Sequence, residues 1–365
     1  MDERKNDVSS RVDSKAEQLL RIIYWPQSER LSELVVVIKK AAYLKDLGDG
    51  KVQCLLCPAM CRLTPGKKGI CVSRYNYEGQ LVTDNYGELV TLAVDPIEKK
   101  PLYHFHPGSS ILSTGPNGCN MGCVHCQNWS ISQERTPTRY LSPEELVAAA
   151  VDSKSIGVAF TYTEPIIWYE YIMDTAPLLH QAGLKSVMVS NGYISADPMD
   201  ELLKHIDAFN IDLKSIRSRH YRRICKAKLK PVQQSIEKIV AAGVHLEITN
   251  LIIPTLNDSD SDLIALCDYI VSVSPMIPLH LSAYHPSYRL DIPATPTATM
   301  QRAWEIARQR LKYVFVGNLI LEGTSDSHCP HCGSLLIRRE GYQTGLVGVV
   351  DGLCSECDFT TSIVQ

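Results

Sequence analysis

The sequence predicts an α/β protein built on a partial (β/α)6, TIM-like barrel, open on one side. A small cysteine-containing module precedes the barrel and a zinc-ribbon-like module follows it. Three observations lead to this. Six short apolar runs alternate with helical patterns between about residue 109 and residue 324, the signature of parallel strands joined by right-handed crossovers. Six units fall short of the eight that close a full barrel. Eleven of the thirteen cysteines form tight clusters before, at the start of and after that stretch. The expected boundaries are 1–108, 109–324 and 325–365.

Residues 11–47 carry apolar positions at helical spacing, among them Leu19, Leu20, Ile22 and Ile23, then Leu34, Val35, Ile38 and Ala42. This predicts two helices interrupted near Pro26. Gly48-Asp-Gly50 ends the segment. Short strands are expected over 80–83 and 89–94. The six barrel strands are expected at 111–114, 157–160, 186–190, 208–211, 245–249 and 279–282. Helices are expected near 142–152, 166–182, 198–206, 232–242 and 259–273. From about Ser325 the chain is loop-rich.

A hydrophobic content of 45% with 21% charged residues is that of a globular protein with a real core. The net charge of −3 supplies no electrostatic reason to expect nucleic acid or an anionic membrane as partner. No apolar run approaches the roughly 20 residues of a spanning helix, and the polar start, Met1-Asp-Glu-Arg-Lys, is unlike a secretory signal. A cytoplasmic protein is expected. In a reducing compartment, clustered cysteines read as metal ligands rather than disulfides. Cys225 and Cys267 stand alone and read as small buried hydrophobes.

Cys119-Asn-Met-Gly-Cys123-Val-His-Cys126 follows directly on the first barrel strand. Three thiolates neither complete a tetrahedral zinc site nor ligate every iron of a cubane. They can hold a [4Fe-4S] cluster with one iron open to a small molecule, on the rim where barrel folds place their chemistry. The competing reading is a zinc site completed by His104, His106 or His125. The C-x3-C-x2-C spacing at a strand end favours the cluster.

This motif, the following Gln127-Asn128 and the six-unit alternation resemble radical S-adenosylmethionine (SAM) enzymes, the pyruvate formate-lyase activating branch in particular. A closer resemblance spans nearly the whole chain. Cys54-Leu-Leu-Cys57-Pro, Asp95-Pro-Ile-Glu-Lys-Lys-Pro-Leu-Tyr-His-Phe105, the cysteine loop and the C-terminal quartet are together similar to the radical SAM component of the AmmeMemoRadiSam system. The resemblance implies that SAM chelates the open iron through its amino and carboxylate groups. An electron from the cluster then yields methionine and a 5′-deoxyadenosyl radical that abstracts a substrate hydrogen.

The resemblance also implies the SAM contacts. Tyr162-Thr-Glu164-Pro resembles the family's Gly-Gly-Glu-Pro, placing Glu164 at the methionyl amino group, with Tyr-Thr in place of the glycines. Asn191, in Ser190-Asn-Gly192, is expected at the ribose or carboxylate. Asp212 and Lys214, in Ile211-Asp-Leu-Lys214, resemble the Asp-x-Lys of the activases, the lysine pairing the SAM carboxylate. His285 is expected at the adenosyl group. His125 stands where an aromatic is usual and is expected to stack on adenine. A solvated Asp212–Lys214 pair and a plain Asn191-Gly192 turn are the ordinary alternatives.

Cys329, Cys332, Cys354 and Cys357 form two C-x2-C knuckles, which read as a zinc ribbon. Iron in the same tetrathiolate geometry is the alternative, and redox-silent zinc suits a small structural module better. Cys54, Cys57, Cys61 and Cys71 are less regular. Gly66 and Gly69 would let the loop bring Cys71 back to the first three. Zinc and a second iron-sulfur cluster both suit this set, with a slight lean to zinc.

The function expected is reductive SAM cleavage and hydrogen abstraction from an unidentified substrate. Activation of a glycyl-radical enzyme is the alternative within that chemistry, and a non-catalytic zinc-stabilised binding module is the alternative outside it. The partners implied are SAM, the substrate, a ferredoxin or flavodoxin as electron donor, and the other AmmeMemoRadiSam proteins. No membrane or nucleic acid partner is expected.

Overall fold

Eight strands form the central sheet of the computed structural model, which describes residues 37–365. They are β1 (Thr91–Pro96), β2 (Ser110–Gly115), β3 (Gly157–Phe160), β4 (Lys185–Ser190), β5 (Ala208–Asp212), β6 (His245–Ile252), β7 (Leu279–Ala283) and β8 (Val314–Gly317). Their spatial order is linear, β8-β7-β6-β5-β4-β3-β2-β1. β2 to β8 run parallel, and β1 pairs antiparallel with β2. Since β1 and β8 end the order, no strand pairing among the described residues closes the sheet.

One helix returns each parallel strand to the next. These are α1 (Pro143–Asp152), α2 (Tyr169–Gln181), α3 (Ala196–Leu202), α4 (Leu229–Ala241), α5 (Asp260–Val273) and α6 (Thr297–Arg308). Local sequence explains their placement. Ser142 and Glu145 form a reciprocal capping box with Pro143 in the first turn of α1, satisfying N–H groups a helix start leaves unpaired. On α4, Leu229, Val232, Ile236 and Ile239 bury one stripe against the sheet. Strand β3 is buried throughout, as expected of a parallel strand covered on both faces.

The six expected barrel strands and five expected helices are all present. The unit formed by α6 and β8 was not expected. The buried positions of α6 are Met300, Ala303 and Ala307, a stripe too small-sided to register as an apolar helical pattern. The strand expected at 89–94 is β1, displaced by two residues and joined to the barrel sheet.

Two helices over 11–47 are not what the described part of that segment forms. Most of the expectation lies outside the described residues. From residue 37 onward the chain forms short strands, Lys39–Lys40 and Leu44–Gly48. The latter pairs antiparallel with Lys51–Cys54. Gly48-Asp-Gly50 is thus a hairpin turn with all three residues at positive φ, not a helix stop. Cross-strand pairing, invisible to local periodicity, decides the outcome.

One apolar core runs from Ala41 through the barrel to Val316. Under the barrel, Glu247 accepts the main-chain N–H groups of Tyr103 at 3.0 Å and His104 at 2.7 Å. It also pairs with His245 and His280. The C-terminal segment has its own core of Leu336, Ile337, Val349 and Ile363. It docks on this lower face, where the ring nitrogens of His104 meet Ser362 at 2.8 Å and Ser327 at 2.9 Å.

Candidate active site and metal centres

The loop from β2 carries Cys119, Cys123 and Cys126 across the top of the barrel, at the strands' C-terminal ends. Gly115 is required where it starts, because a Cβ there would lie 2.1 Å from the Thr161 carbonyl oxygen. The turn Tyr221–Cys225, with wider than α-helical winding, braces the loop from beneath. Gly122 N–H donates to the Cys225 carbonyl and Val124 N–H to that of Ile224, each at 3.0 Å. From the side, Arg289 N–H donates to the Val124 carbonyl and Ser287 Oγ to that of Cys126, again at 3.0 Å.

These three cysteines line one open cavity together with His125, Glu164, Asn191, Asp212 and Lys214. Eight of the nine residues expected at the cofactor thus come together from four strand ends. His285 does not line the cavity. It is exposed on the rim, with its Nδ1 3.2 Å from Nε2 of Gln127, which does. His104 and His106 lie on the lower face and are no partners of the trio. The cavity also takes in Asn128, Ser132, Tyr162, Thr163, Thr249, Leu251 and Ser282. The Thr249 and Leu251 positions on β6 carried no signal beyond strand alternation.

Glu164 is buried. Its Oε1 accepts Ile166 N–H at 3.0 Å and Ser190 Oγ–H at 2.7 Å, and its Oε2 accepts Asn191 N–H at 2.8 Å. Burial pushes its carboxyl up to about 7, against these hydrogen bonds. Asn191 reaches Asn120 Oδ1 at 2.9 Å and the Cys119 sulfur at 3.7 Å. Lys214 Nζ stands 3.0 Å from Asp212. Burial lowers the lysine's pKa, but Asp212, then Cys123 and Cys225, raise it further, so the ammonium is held charged. His125 is buried with Nδ1 unpartnered. Burial first, then Lys214 and His220, lowers its pKa to about 3, leaving a neutral ring.

Tyr162, standing where the resembled motif has glycine, adopts φ +67°, a conformation uncommon for a bulky side chain. Asp95 holds it there. The Tyr162 hydroxyl donates to Asp95 Oδ2 at 2.9 Å, and Lys100 lies over the Tyr162 ring. Lys99 and Lys100 salt-bridge the same carboxylate. The acidic-basic run at 95–100 therefore supports the cavity wall from outside. Cys225 is fully buried, as read, but it lies beside Cys123, each thiol perturbing the other. Only the turn at 221–225 brings the two together.

The central donor set fits an iron-sulfur cluster. Three thiols converge on the cavity, and no fourth cysteine lines it. Among the described residues, the one group of three or more potential ligands with all donor atoms within 4.8 Å of one another is Cys329, Cys332, Cys354 and Cys357. There, Cys329–Cys357 and Cys332–Cys354 sulfurs are 3.7 Å apart. Thiolates at about 2.3 Å around one tetrahedral ion are spaced by roughly 3.8 Å, so this quartet fits a single metal. The central trio does not form such a tight group. Among the described residues no helix is long and apolar enough to cross a membrane.

The Radical SAM superfamily profile matches residues 114–270. An uncharacterized protein of Methanocaldococcus jannaschii is 39% identical over 86% of this chain and 95% of its own length. The pyruvate formate-lyase-activating enzyme of Clostridium pasteurianum is 25% identical over 46% of this chain and 72% of its own. A radical SAM methyltransferase structure from Sphaerobacter thermophilus aligns with TM-score 0.48 and 17% identity over 63% of this chain and 71% of its own. With a cysteine-lined cavity on the barrel rim, a matching family profile and a relative that matches along 86% of its length, the chain belongs to the radical SAM superfamily of enzymes, whose members use a [4Fe-4S] cluster and SAM.

Proposed function

We propose that Cys119, Cys123 and Cys126 hold the catalytic cluster and that the cavity above them seats SAM for hydrogen abstraction from a substrate. The observation that carries this is the convergence of three thiols, without a fourth, on a cavity walled by Glu164, Asn191, Asp212 and Lys214. When bound, the cluster supplies the electron that splits the SAM sulfonium and generates the 5′-deoxyadenosyl radical. The chain's own part is placement. Lys214, kept charged by Asp212, meets the methionyl carboxylate. Glu164 and Asn191 set the strand-end backbone against the methionyl group, and neutral His125 offers an aromatic face.

The test is anaerobic reconstitution, chemical reduction with SAM, and measurement of 5′-deoxyadenosine. Cys119→Ala, Cys123→Ala and Cys126→Ala should each abolish the product while circular dichroism keeps its parental shape. Product retained in any one of them overturns the assignment.

Two finer readings accompany this. The motifs at 54–58 and 95–105, with the C-terminal quartet, support placement in the AmmeMemoRadiSam system with a ferredoxin or flavodoxin as donor. A reducing, cytoplasmic setting suits thirteen unpaired thiols. Activation of a glycyl-radical protein is the second reading, favoured by the likeness to the Clostridium pasteurianum enzyme. A glycyl radical signal appearing on a partner protein in electron paramagnetic resonance would decide for it. For the tail we read zinc, in a unit at 325–365 supported by its separate core.

A further inference from the structure

We propose that Cys54, Cys57, Cys61 and Cys71 hold a second [4Fe-4S] cluster, one loop away from the catalytic one. The four come from a compact fold of the N-terminal segment. Cys54 ends the hairpin strand Lys51–Cys54, and its N–H donates to the Cys61 carbonyl at 2.9 Å. A tight turn returns Met60 N–H to the Cys57 carbonyl at 3.1 Å. Gly69 N–H bonds the Arg74 carbonyl at 2.7 Å, closing the loop that presents Cys71. A Cβ on Gly69 would lie 3.5 Å from the Cys61 sulfur, so the loop passes directly over the site.

All four thiols are free and line one small space walled by Leu56, Leu63, Ile70 and Ile167. Arg74 also lines it, 1% exposed, with Nη1 3.5 Å from the Cys54 sulfur. Its other end pairs with Glu170, yet its Nε has no partner. A guanidinium buried beside four thiols and still short of a hydrogen bond marks a site that carries negative charge when filled. Four ligated thiolates supply that charge.

Spacing separates a cluster from a single ion. The tail quartet draws its sulfurs within 4.8 Å, the packing one tetrahedral ion imposes. The N-terminal four share a cavity but form no such group, and in this they match the central trio. Thiolates at the corners of a cubane are held apart by the iron and sulfide between them. The geometry thus points to iron and sulfide where the sequence leaned slightly to zinc.

The two sites are neighbours. A Cβ on Gly118 would lie 2.5 Å from the Cys71 carbonyl oxygen, one residue before Cys119. Asn120 lines the N-terminal space and accepts a hydrogen bond from Asn191, whose amide also reaches the Cys119 sulfur.

Acid-labile sulfide decides the question, because a mononuclear metal site contains none. The full chain, reconstituted anaerobically with iron and sulfide, should carry about eight sulfides. About four sulfides that disappear in the Cys119→Ala/Cys123→Ala/Cys126→Ala variant would overturn the proposal. The variant Cys119→Ala/Cys123→Ala/Cys126→Ala should lose SAM cleavage but keep about four sulfides and a cluster signal on reduction. Adding Cys57→Ala should then remove that sulfide. Sulfide absent from the triple variant, or surviving the fourth substitution, would equally overturn it. A count of about eight on the unaltered chain stands even where a variant fails to fold, and it is independent of whether SAM is cleaved.

Discussion

Glu164 accepts the main-chain N–H of Asn191 at 2.8 Å, tying the loop after β3 to the loop after β4. Its other oxygen is engaged by Ile166 and Ser190. The carboxylate is therefore a brace of the cavity wall before it is a contact to any ligand, whereas Lys214 bonds only Asp212 through its side chain.

Glu164→Ala and Lys214→Ala should each weaken SAM binding by roughly 10- to 150-fold, equivalent to about 1.5–3 kcal/mol for a lost hydrogen bond to a charged group. Their side effects should differ. Glu164→Ala leaves three donors unsatisfied and should lower the melting temperature, while Lys214→Ala should shift it less. Calorimetric titration of the reconstituted variants with SAM checks the affinities. Parental affinity in both would show that SAM sits elsewhere.

Asp95 should give the protein an acid-sensitive brace. Burial alone would raise its pKa, but Lys100, then hydrogen bonds from Lys99 and Tyr162, lower it from 3.8 to about 2. Because the folded value is the lower one, the associated stability is fully present above about pH 4 and fades as pH falls through about 2, by roughly 2 kcal/mol. Asp95→Asn should remove this dependence. At neutral pH it should also cost about 3 kcal/mol, since Lys100 is left buried and unpaired. Urea unfolding of both proteins across this pH range should show curves that converge on acidification. Parallel curves would exclude Asp95 as the titrating group.

Cys357→Ser should release one equivalent of metal and loosen the segment beyond Ser325 without disturbing the central cluster's absorption. The tail quartet can close a four-thiolate shell around one ion within a small core on the barrel's lower face, away from the rim that carries Cys119. Metal analysis beside limited proteolysis tests this. Full metal content, or loss of the central cluster along with the tail metal, would contradict it.

Much of the architecture was determined by the sequence alone. Buried parallel strands need continuous apolar runs, and crossover helices need apolar stripes and caps, so six strands and five helices are readable locally. Cys119, Cys123 and Cys126 stand out because metal ligation demands fixed residue types at short spacing. That Glu164, Asn191, Asp212 and Lys214 line one cavity was also readable, since each lies at, or within four residues of, the C-terminal end of a barrel strand. What the tertiary structure decided depends on contacts between distant segments. The 48–50 turn closes a hairpin only because residue 44 pairs with residue 54, and α6 buries through small side chains that leave little periodic trace. Cys225 faces Cys123, Arg74 lies buried beside Cys54, and Asp95 supports Tyr162, none of which local periodicity can encode. The spacing of sulfurs in the three cysteine sets is of the same kind. It follows from how loops pack against one another, and it sets the tail quartet apart from the other two sets.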